Sequence, residues 1–340
     1  MAKEEKVVAV VSTDWHLKRD NIDEIKDLVV QKCKLADELG TDLLICLGDV
    51  FDSRKSQELS VLSAFSDILD IILRENKKMI VIPGNHDKVN YSSIQSFLDP
   101  FTYNPSMRLY RDTFLTNELG FPAAFIPFWE ESIMEEKLKD VPDGYTVFSH
   151  FGTNQSVNND GAKNESLLTV SSLKRFKKVY LGHFHDTHAP SDNILHIPSI
   201  KQNNYGENNK KGFTVITENG ESFFVKGKFK EYKTYIFDLD KSPKKDLDLL
   251  VSKNTNSPDH IRVEVIGSQS KLKSLKRESF TNSGIDLKTK TKEVTDAIDA
   301  AFTDEVVEFN PEKIKEKFKE FCEEKEYNYE EGKFYIDQKI

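Results

Sequence analysis

The stretch VVAVVSTDWH, residues 7–16, shows the pattern that decides the fold. Its first five residues form an apolar run without alternation, which is typical of a strand buried on both faces of a parallel sheet. Asp14 and His16 follow at once, with Trp15 between them. In an extended chain this spacing points both polar side chains to one face. The segment therefore predicts a buried strand whose end carries an acid and an imidazole.

Apolar runs of this kind recur along the first two-thirds of the chain. The predicted buried strands are Val7–Ser12, Asp42–Leu47, Met79–Pro83, Thr146–Ser149 and Val179–Leu181. Between the first three lie Asn21–Leu39 and Gln57–Arg74, in which apolar residues recur at helical spacing. Strands that alternate with helices predict a layered α/β domain. Later runs have no long helix between them, so we expect antiparallel strands at Ile194–Pro198, Phe213–Thr217 and Ser222–Val225.

A polar cluster follows each of the five buried strands. The clusters are Asp14-Trp15-His16, Gly48-Asp49-Val50-Phe51-Asp52, Gly84-Asn85-His86-Asp87, Ser149-His150 and Gly182-His183-Phe184-His185. Because the functional crevice of an open α/β sheet lies beyond the carboxyl ends of its strands, we expect the fold to bring the clusters together. The glycines in these clusters allow the tight turns and close backbone approach that a crowded site requires.

The candidate ligands offer oxygen and nitrogen donors and no thiolate. They are Asp14, His16, Asp49, Asn85, His150, His183 and His185. Such a set suits Mn²⁺, Fe or Zn²⁺. These ligands are too many for one open catalytic ion, but they supply two ions if one carboxylate bridges. Two ions about 3.5–4 Å apart clamp the attacking and leaving oxygens of a phosphoryl displacement and lower the pKa of a bound water.

Each cluster alone has a simpler interpretation. Asp and Asn after a strand are usually turn residues, and a single histidine in a loop is more often structural than a ligand. Chance would have to place all the clusters after strands, so the set as a whole favours a metal site. His188, His196 and His260 match no cluster and are predicted to be ordinary loop or half-buried histidines.

The composition excludes several classes of protein. The 340 residues are about twice a typical domain, and the 23 Phe can build a substantial core. The apolar runs fall far short of the roughly 18 residues of a membrane helix, and the N-terminus shows no secretory signal. Three scattered cysteines without a CxxC pair indicate a reducing cytoplasm rather than a disulfide framework.

The net charge of −9 argues against nucleic-acid binding until it is divided by region. Residues 1–225 carry −8, residues 226–292 carry +7 and residues 293–340 carry −8. Clustered lysines displace counterions from phosphates and bind nucleic acid without sequence preference. Charge alone leaves a solvated face and a DNA contact equally open. The candidate DNA-binding residues are Lys226, Lys228, Lys230, Lys233, Lys271, Lys273, Lys276 and Arg277.

The last third of the chain divides into a small module and a tail. Strands are predicted at Thr234–Leu239 and Ile261–Ile266, as in a small α+β module. The tail predicts two amphipathic helices, on the apolar repeats Val294, Ile298, Phe302 and Ile314, Phe318, Phe321, Cys322. Cys322 is predicted to pack in this stripe. No GxxxxGK[ST] loop occurs in the sequence, so an ATP-driven step would need a partner.

The order D-x-H, G-D-x-x-D, G-N-H-D, H, G-H-x-H over residues 7–225 resembles the calcineurin-like metallophosphoesterase superfamily. Within it, the chain resembles the nuclease subunit of SbcCD-type (Mre11–Rad50-type) DNA-repair complexes, especially the recombination endonuclease subunit of tailed phages. Further matching segments are Phe51-Asp52, Ile126–Glu130, Ile197–Ser199 and Lys211–Phe213. The resemblance implies a four-layer αββα sandwich at 1–225, a basic α+β domain at 226–292 that caps the site and contacts DNA, and a helical tail at 293–340.

The same resemblance implies a role for each site residue. Asp14, His16 and His185 would hold one ion, Asn85, His150 and His183 the other, and Asp49 would bridge the two. Mn²⁺ is the implied ion. His86 would protonate or stabilise the leaving oxygen, and Asp87 would orient its ring. Asp52 departs from the cellular Mre11 branch, which has a histidine there, so a role for it in positioning substrate stays open.

The implied partners are DNA, an SbcC/Rad50-like ATPase that grips the tail, and a second copy of the chain that contacts Ser92–Leu98. The leading hypothesis is a Mn²⁺-dependent DNA exonuclease and endonuclease subunit that acts in recombination and double-strand-break processing. The alternative is a phosphatase or small-molecule phosphodiesterase on the same scaffold. Ser53 and Asp87 depart from the G-D-x-x-D-R-G and G-N-H-E motifs of protein Ser/Thr phosphatases. A non-catalytic scaffold is a third hypothesis, which the complete ligand set disfavours.

Overall fold

The computed structural model describes residues 5–156, 166, 168–292, 319 and 329. Contacts divide the chain into two units. The first holds the residues up to Tyr235 together with Asn254–Arg262 and Thr281–Asp286. The second holds Ile236–Lys253, Val263–Phe280 and the described residues from Leu287 onwards. The first unit therefore runs past residue 225, and the domain boundary drawn there from charge stays a prediction.

Two six-stranded sheets form the centre of the first unit. In chain order its strands are β1 (Val7–Ser12), β2 (Leu43–Cys46), β3 (Lys78–Val81), β4 (Met107–Leu109), β5 (Phe114–Thr116), β6 (Ala123–Ile126), β7 (Thr146–His150), β8 (Lys178–Gly182), β9 (His188–Ser191), β10 (Ile194–His196), β11 (Gly212–Thr217) and β12 (Ser222–Lys226). The sheet orders are β12-β11-β1-β2-β3-β4 and β5-β6-β7-β8-β10-β9. The predicted antiparallel closure is confirmed at β11 and β12, whereas β10 runs parallel to β8.

Helices cover the outer faces of the two sheets. They are α1 (Ile22–Glu38), α2 (Leu59–Arg74) and α3 (Glu131–Lys139). The buried faces of α1 and α2 pack on the first sheet, through residues such as Leu28 and Phe65. Met134 and Leu138 of α3 pack on the second sheet. The order helix, sheet, sheet, helix confirms the predicted sandwich of four layers.

The alternation of side chains along the central strands explains why these strands are apolar on both faces. In β1, Val10 joins the core under α1 and α2, whereas Ala9 and Val11 join the core between the sheets. In β7, Val147 faces the α3 side and Phe148 faces the inter-sheet core. Successive residues of a strand point to opposite faces, so a strand between two cores needs an uninterrupted apolar run.

The remaining described chain forms a three-stranded sheet with short helices. These elements are β13 (Tyr232–Asp238), α4 (Lys244–Asn254), β14 (His260–Gly267), α5 (Gln269–Lys273), α6 (Arg277–Asn282) and β15 (Ile285–Thr291), with sheet order β13-β14-β15. The two strands predicted here are confirmed. In β14, the buried residues Ile261, Val263 and Val265 alternate with half-buried ones, as expected for a strand covered on one face.

The two predicted tail helices, with Cys322, lie outside the described residues. Among the residues that the structure describes, no helix is both long and apolar enough to cross a membrane. Cys33 and Cys46 are buried free thiols.

Candidate metal centre

The five predicted clusters come together from two different sheets. Asp14 and His16 follow β1, Asp49 follows β2, and Asn85 follows β3, all in the first sheet. In the second sheet His150 ends β7, while His183 and His185 follow β8. Four of the clusters contribute to one cavity of about 380 Å³, lined by His16, Lys18, Asp49, Asp52, Arg54, Asn85, His86, His183, His185, Asn203 and Asn204. Asp14 and His150 are fully buried and do not line it.

One group of candidate ligands consists of Asp14, His16 and His185, whose ligand atoms all lie within 4.8 Å of one another. The Nε2 atoms of His16 and His185 are 3.0 Å apart. Oδ1 of Asp14 lies 3.9 Å from the first and 3.8 Å from the second. This Oδ1 is buried and has no hydrogen-bond partner among the described residues. A buried carboxylate oxygen in that position is suited to a cation.

The second group consists of Asp49, His150 and His183, joined by Asn85. The Oδ1 of Asn85 lies 3.1 Å from His150 Nε2 and 2.9 Å from His183 Nδ1. His150 donates its Nδ1 proton to the Leu47 carbonyl at 2.6 Å, because a carbonyl can only accept. In the neutral ring, Nε2 therefore turns a lone pair toward Asn85 and Asp49. Converging lone pairs are the arrangement that a metal ion stabilises.

Asp49 stands between the two groups. Its Oδ2 lies 3.8 Å from His16 Nε2, and its Oδ1 lies 3.3 Å from His150 Nε2. Burial disfavours a charged His150, but the Asp49 carboxylate outweighs it and raises the pKa of His150 to about 9. The position therefore attracts positive charge. Asp49 therefore contacts both groups, and its role as a bridge between two ions stays a prediction.

The backbone is strained at the ligands. Asp14, His16, Asp49 and His183 have φ values of 52°, 46°, 52° and 88°, in the left-handed region that side chains rarely adopt. Among the described residues, Asn76 and Asn256 are the other non-glycine residues with positive φ. Each such residue costs of order 1–3 kcal/mol and persists where the surroundings enforce it, most often at functional sites.

Close packing requires glycine at two positions of the rim. A Cβ on Gly84 would overlap the Asp49 carboxylate, and one on Gly182 would overlap Thr13 Oγ1. Backbone pairing also continues past the strands, because the amides of Asp14 and His16 donate to the Gly48 and Asp49 carbonyls, both at 3.0 Å. These contacts hold the loops after β1 and β2 against each other and so set the ligand positions.

Sequence reasoning missed Glu207, a buried carboxylate behind His185. His185 Nδ1 donates to its Oε1 at 2.8 Å, and Lys211 Nζ lies 3.1 Å from Oε2. Burial opposes ionisation of Glu207, but the His185 hydrogen bond lowers its pKa to about 2. Because Nδ1 carries the proton that it shares in the hydrogen bond to this carboxylate, Nε2 of the neutral ring is unprotonated. Its lone pair faces the cavity. Glu207 follows its partner by 22 positions in a loop without periodicity, so no sequence signal pointed to it.

The ring of His86 reaches the same cavity, with its Nε2 4.0 Å from Asp49 Oδ2. Its Nδ1 donates to the Asp52 carbonyl at 2.5 Å, and its Nε2 accepts from Arg54 Nη2 at 2.8 Å. Asp87 instead accepts from the amides of Val50, Phe51 and Gly84 at 2.9–3.3 Å. The predicted orienting contact on His86 thus comes from Asp52, and Asp87 fixes the loops after β2 and β3.

Two further residues of the cavity carried no sequence signal. Arg54 is exposed at its rim, and its charged group touches His86. Asn203 lines the cavity with both amide atoms buried and without a partner among the described residues. A guanidinium and an unpaired amide are groups that can hydrogen-bond a phosphate.

The unassigned histidines lie outside the candidate ligand groups of the described chain. His196 is buried, bonds Ser156 Oγ at 2.8 Å and stacks on His188. His260 stacks on Tyr232 with ring centroids 4.2 Å apart. All three histidines lie in strands (β9, β10 and β14) rather than in the predicted loops, and only His188 is half-buried.

The candidate DNA-binding residues lie in both units. Some of their side chains form ion pairs with carboxylates and others do not. Lys226 pairs with Glu231 at 3.0 Å, Lys233 with Asp259 at 2.5 Å, and Lys271 with Asp240 at 2.7 Å. The other four lysines are exposed, and their ammonium groups form no ion pair with the described residues: Lys228, Lys230, Lys273 and Lys276. Arg277 begins α6 and is exposed. Residues 226–233 belong to the first unit and residues 271–277 to the second.

The chain belongs to the calcineurin-like phosphoesterase family, whose sequence profile matches residues 8–267. It is therefore assigned to the hydrolases that act on phosphoester bonds. The family and the grouped histidines and carboxylates together indicate that the site binds divalent metal.

Two viral proteins are similar to part of the chain. Putative phosphoesterase 244L of Invertebrate iridescent virus 6 is 23% identical over 226 residues, which are 61% of this chain and 74% of that protein. Exonuclease subunit 1 of Enterobacteria phage T4 is 26% identical over 224 residues, which are 62% of this chain and 65% of that protein. The chain thus spans slightly less than two-thirds of the phage protein.

Two solved structures also align. A dimetal phosphatase from Danio rerio has a TM-score of 0.40 at 10% identity, covering 63% of this chain and 93% of its own. Nuclease MPE from Pseudomonas putida has a TM-score of 0.32 at 14% identity, covering 64% of this chain and 87% of its own.

Proposed function

We propose that this protein is a metal-dependent DNA nuclease, the hydrolytic subunit of an SbcCD-like recombination and double-strand-break processing complex. One observation carries the proposal: Asp49 lies between two ligand groups at the floor of one open cavity. The phage protein named exonuclease subunit 1 supports nucleic acid as the substrate. We place the protein in the cytoplasm of the cell, or of the host cell if a phage encodes it, on the cysteine argument.

The family resemblance implies two ligand sets, and we propose the same division here. Asp14, His16 and His185 would hold one ion and Asn85, His150 and His183 the other, with Asp49 shared. Two divalent ions, which we propose to be Mn²⁺, would activate a water for attack on phosphorus. They would also neutralise charge on the phosphate while the leaving oxygen departs. The oxygen and nitrogen donors suit Mn²⁺ without requiring it.

His86 and Arg54 would act on the substrate phosphate. Arg54 donates to His86 Nε2 at 2.8 Å, so that nitrogen is engaged while no phosphate is present. A phosphate is a stronger partner for a guanidinium than a neutral imidazole, because charge-assisted hydrogen bonds are stronger than those to a neutral group. Transfer of Arg54 to the phosphate would free Nε2 to take up a proton from solvent and pass it to the leaving oxygen, which would return the ring to its neutral form. The Asp52 carbonyl holds the ring in place during this exchange.

The lysines of residues 226–292 would bind the DNA backbone. Lys228, Lys230, Lys273 and Lys276 are the strongest candidates, since their ammonium groups have no acidic partner in the described chain. Docking of an SbcC/Rad50-like ATPase on residues 293–340, and of a second copy through Ser92–Leu98, belongs to the same proposal. In the latter segment Ile94 is 48% exposed, as a residue in a subunit contact would be in the isolated chain.

A phosphatase or small-molecule phosphodiesterase is the second candidate. It is favoured by the cavity volume of about 380 Å³, which lies within the roughly 300–1,000 Å³ of pockets that take small ligands. The viral relative named a phosphoesterase is compatible with it.

The test is hydrolysis of end-labelled duplex and hairpin DNA by the purified chain with Mn²⁺, with and without an SbcC-like ATPase, beside p-nitrophenyl phosphate. We expect metal-dependent release of nucleotides that EDTA abolishes. Turnover of p-nitrophenyl phosphate without any DNA cleavage would overturn the nuclease proposal in favour of the second candidate. The Asp67→Ala variant, changed at a surface ion pair with Lys26, is the control for preparation quality.

A further inference from the structure

An aromatic cleft lies directly beside the candidate metal centre and has no role in the mechanism above. It measures about 220 Å³ and is lined by Tyr91, Phe128, Trp129 and Phe151 among other residues. Arg54, Asn85 and His183 line both this cleft and the metal cavity. The cleft is therefore continuous with the place where the scissile phosphate would bind.

Two of the aromatic rings are positioned to receive a flat ligand. Tyr91 and Phe128 are half-buried, and their ring centroids are 5.0 Å apart in an edge-to-face arrangement. Phe128 also lies 6.0 Å from the His183 ring at an interplanar angle of 31°. Neither ring is shielded by the cations nearby, because Lys88 and Lys137 lie over Trp129, at 3.6 and 5.4 Å from its centroid.

One side chain that lines the same cleft carries an unpaired donor. Nε1 of Trp129 is buried and has no hydrogen-bond partner among the described residues. Buried donors are nearly always paired, so an unpaired one calls for an explanation. Trp129 therefore brings to the wall of the cleft a side chain whose donor is unsatisfied within the described residues.

We propose that this cleft binds the nucleobase of the nucleotide next to the scissile phosphate. Aromatic side chains stack on any base because every base has a π-face. The volume is below the roughly 300–1,000 Å³ of pockets that hold a whole ligand, so it suits one part of a larger substrate. Arg54, at the junction of the two cavities, would contact the phosphate attached to that nucleoside.

The inference rests on the proposed phosphodiesterase function and makes it more specific. The cleft would favour a nucleoside diester over a base-free diester, with little preference among the bases. It would thereby separate a nuclease from a general phosphodiesterase that shares the same metal centre.

The first test compares diesters that differ only by the nucleoside. The substrates are the p-nitrophenyl esters of thymidine 5′-monophosphate and of thymidine 3′-monophosphate, with methyl p-nitrophenyl phosphate as the base-free reference, each with Mn²⁺. We expect kcat/KM for one thymidine ester to exceed that of the reference by about 10-fold, the size of one stacking contact. Equal kcat/KM values for all three diesters would overturn the nucleobase site.

Variants then assign any preference to the cleft. Tyr91→Ala and Phe128→Leu should bring the ratio of nucleoside to base-free kcat/KM close to one, mainly through KM, and Tyr91→Phe should keep the ratio. Tyr103→Ala removes a tyrosine that is 96% exposed and does not line the cleft, so it is the matched control. A ratio that stays high in both Tyr91→Ala and Phe128→Leu would place the base elsewhere.

A binding measurement separates this proposal from the proposed function. 2-Aminopurine deoxyriboside 5′-monophosphate loses fluorescence when its base stacks. With the Mn²⁺-loaded chain we expect quenching that Tyr91→Ala abolishes and Tyr91→Phe retains. Quenching without hydrolysis of any diester would contradict the nuclease function and keep the cleft. Hydrolysis of the base-free diester without quenching would keep the phosphodiesterase and contradict the cleft.

Discussion

The acidic strand ends and the lysine-rich segment at residues 226–292 differ in how their charges are compensated. Asp14 and Asp49 are buried, and Asp14 Oδ1 has no hydrogen-bond partner among the described residues. By contrast, Lys226, Lys233 and Lys271 each face a carboxylate within 3.0 Å. The buried Asp14 Oδ1 thus has no compensating group among the described residues, whereas part of the positive segment is already neutralised within it.

This difference teaches that charge counted from sequence is a poor measure of binding. Uncompensated charge in a low-dielectric site interacts strongly with a ligand ion, and exposed paired charge interacts weakly. The net +7 of residues 226–292 therefore overstates its attraction for DNA, and the net −8 of residues 1–225 hides a site for divalent cations. Four predictions can break or sharpen the comparison.

Replacement of the shared carboxylate should have the largest effect. Asp49→Ala removes the group that lies between His16 and His150. We expect loss of bound metal and a fall in phosphodiester hydrolysis of roughly 10³-fold or more, because a metal ion supplies several kcal/mol of transition-state stabilisation. Elemental analysis of dialysed protein measures the metal, with Asp67→Ala as control. Full metal retention in Asp49→Ala would contradict the bridging role.

Loss of the His86 imidazole should separate chemistry from metal binding. In His86→Ala we expect unchanged metal content and a decrease in kcat of about 10²–10⁴-fold, the usual contribution of a general acid. The ring contacts Asp52 and Arg54. It also forms a close group with His16 and Asp49, but it belongs to neither of the two predicted ligand sets. Metal analysis and kcat are measured on one preparation, and a parallel loss of metal would instead make His86 a ligand.

Removal of the carboxylate behind His185 should weaken metal binding moderately. Glu207→Ala deletes the acceptor that holds His185 Nδ1 at 2.8 Å, and we expect metal affinity to fall about 10–100-fold. Glu207→Gln retains an acceptor oxygen and should lose less. Calorimetric titration with Mn²⁺ measures both variants. Equal affinities in the wild type and in Glu207→Ala would show that His185 needs no support from this carboxylate.

Replacement of the lysines should have the smallest effect, and the effect on DNA binding should differ between paired and unpaired lysines. The double variant Lys228→Ala/Lys230→Ala removes exposed cations without an ion pair in the described chain, and Lys226→Ala/Lys233→Ala removes paired ones. Salt dependence is the slope of the logarithm of DNA affinity against the logarithm of salt concentration. We expect the first variant to reduce the magnitude of this slope by about 1 per lysine, and the second to reduce it less. Fluorescence anisotropy of labelled duplex at several salt concentrations measures both. Identical salt slopes would mean that ion pairing does not weaken these lysines.

Much of the first sheet could be predicted because its strands are apolar on both faces. The predicted strand Val7–Ser12 is confirmed, and the predicted helix Gln57–Arg74 differs from α2 by two residues at its start. The strands β4, β5 and β6 and the helix α3 were not predicted. The first two of these strands have three residues each. A segment that short carries too little periodicity to be distinguished from a loop.

By itself the sequence determined the residue types of the site and their positions at strand ends, because local burial forces the apolar runs and the polar residues must follow them. Only the tertiary structure decided that the clusters come from two facing sheets, that Glu207 supports His185, and that Asp52 rather than Asp87 holds the His86 ring. It also decided which lysines are paired. Contacts of this kind join residues that are distant along the chain, and no local pattern records which of them will meet in the folded core.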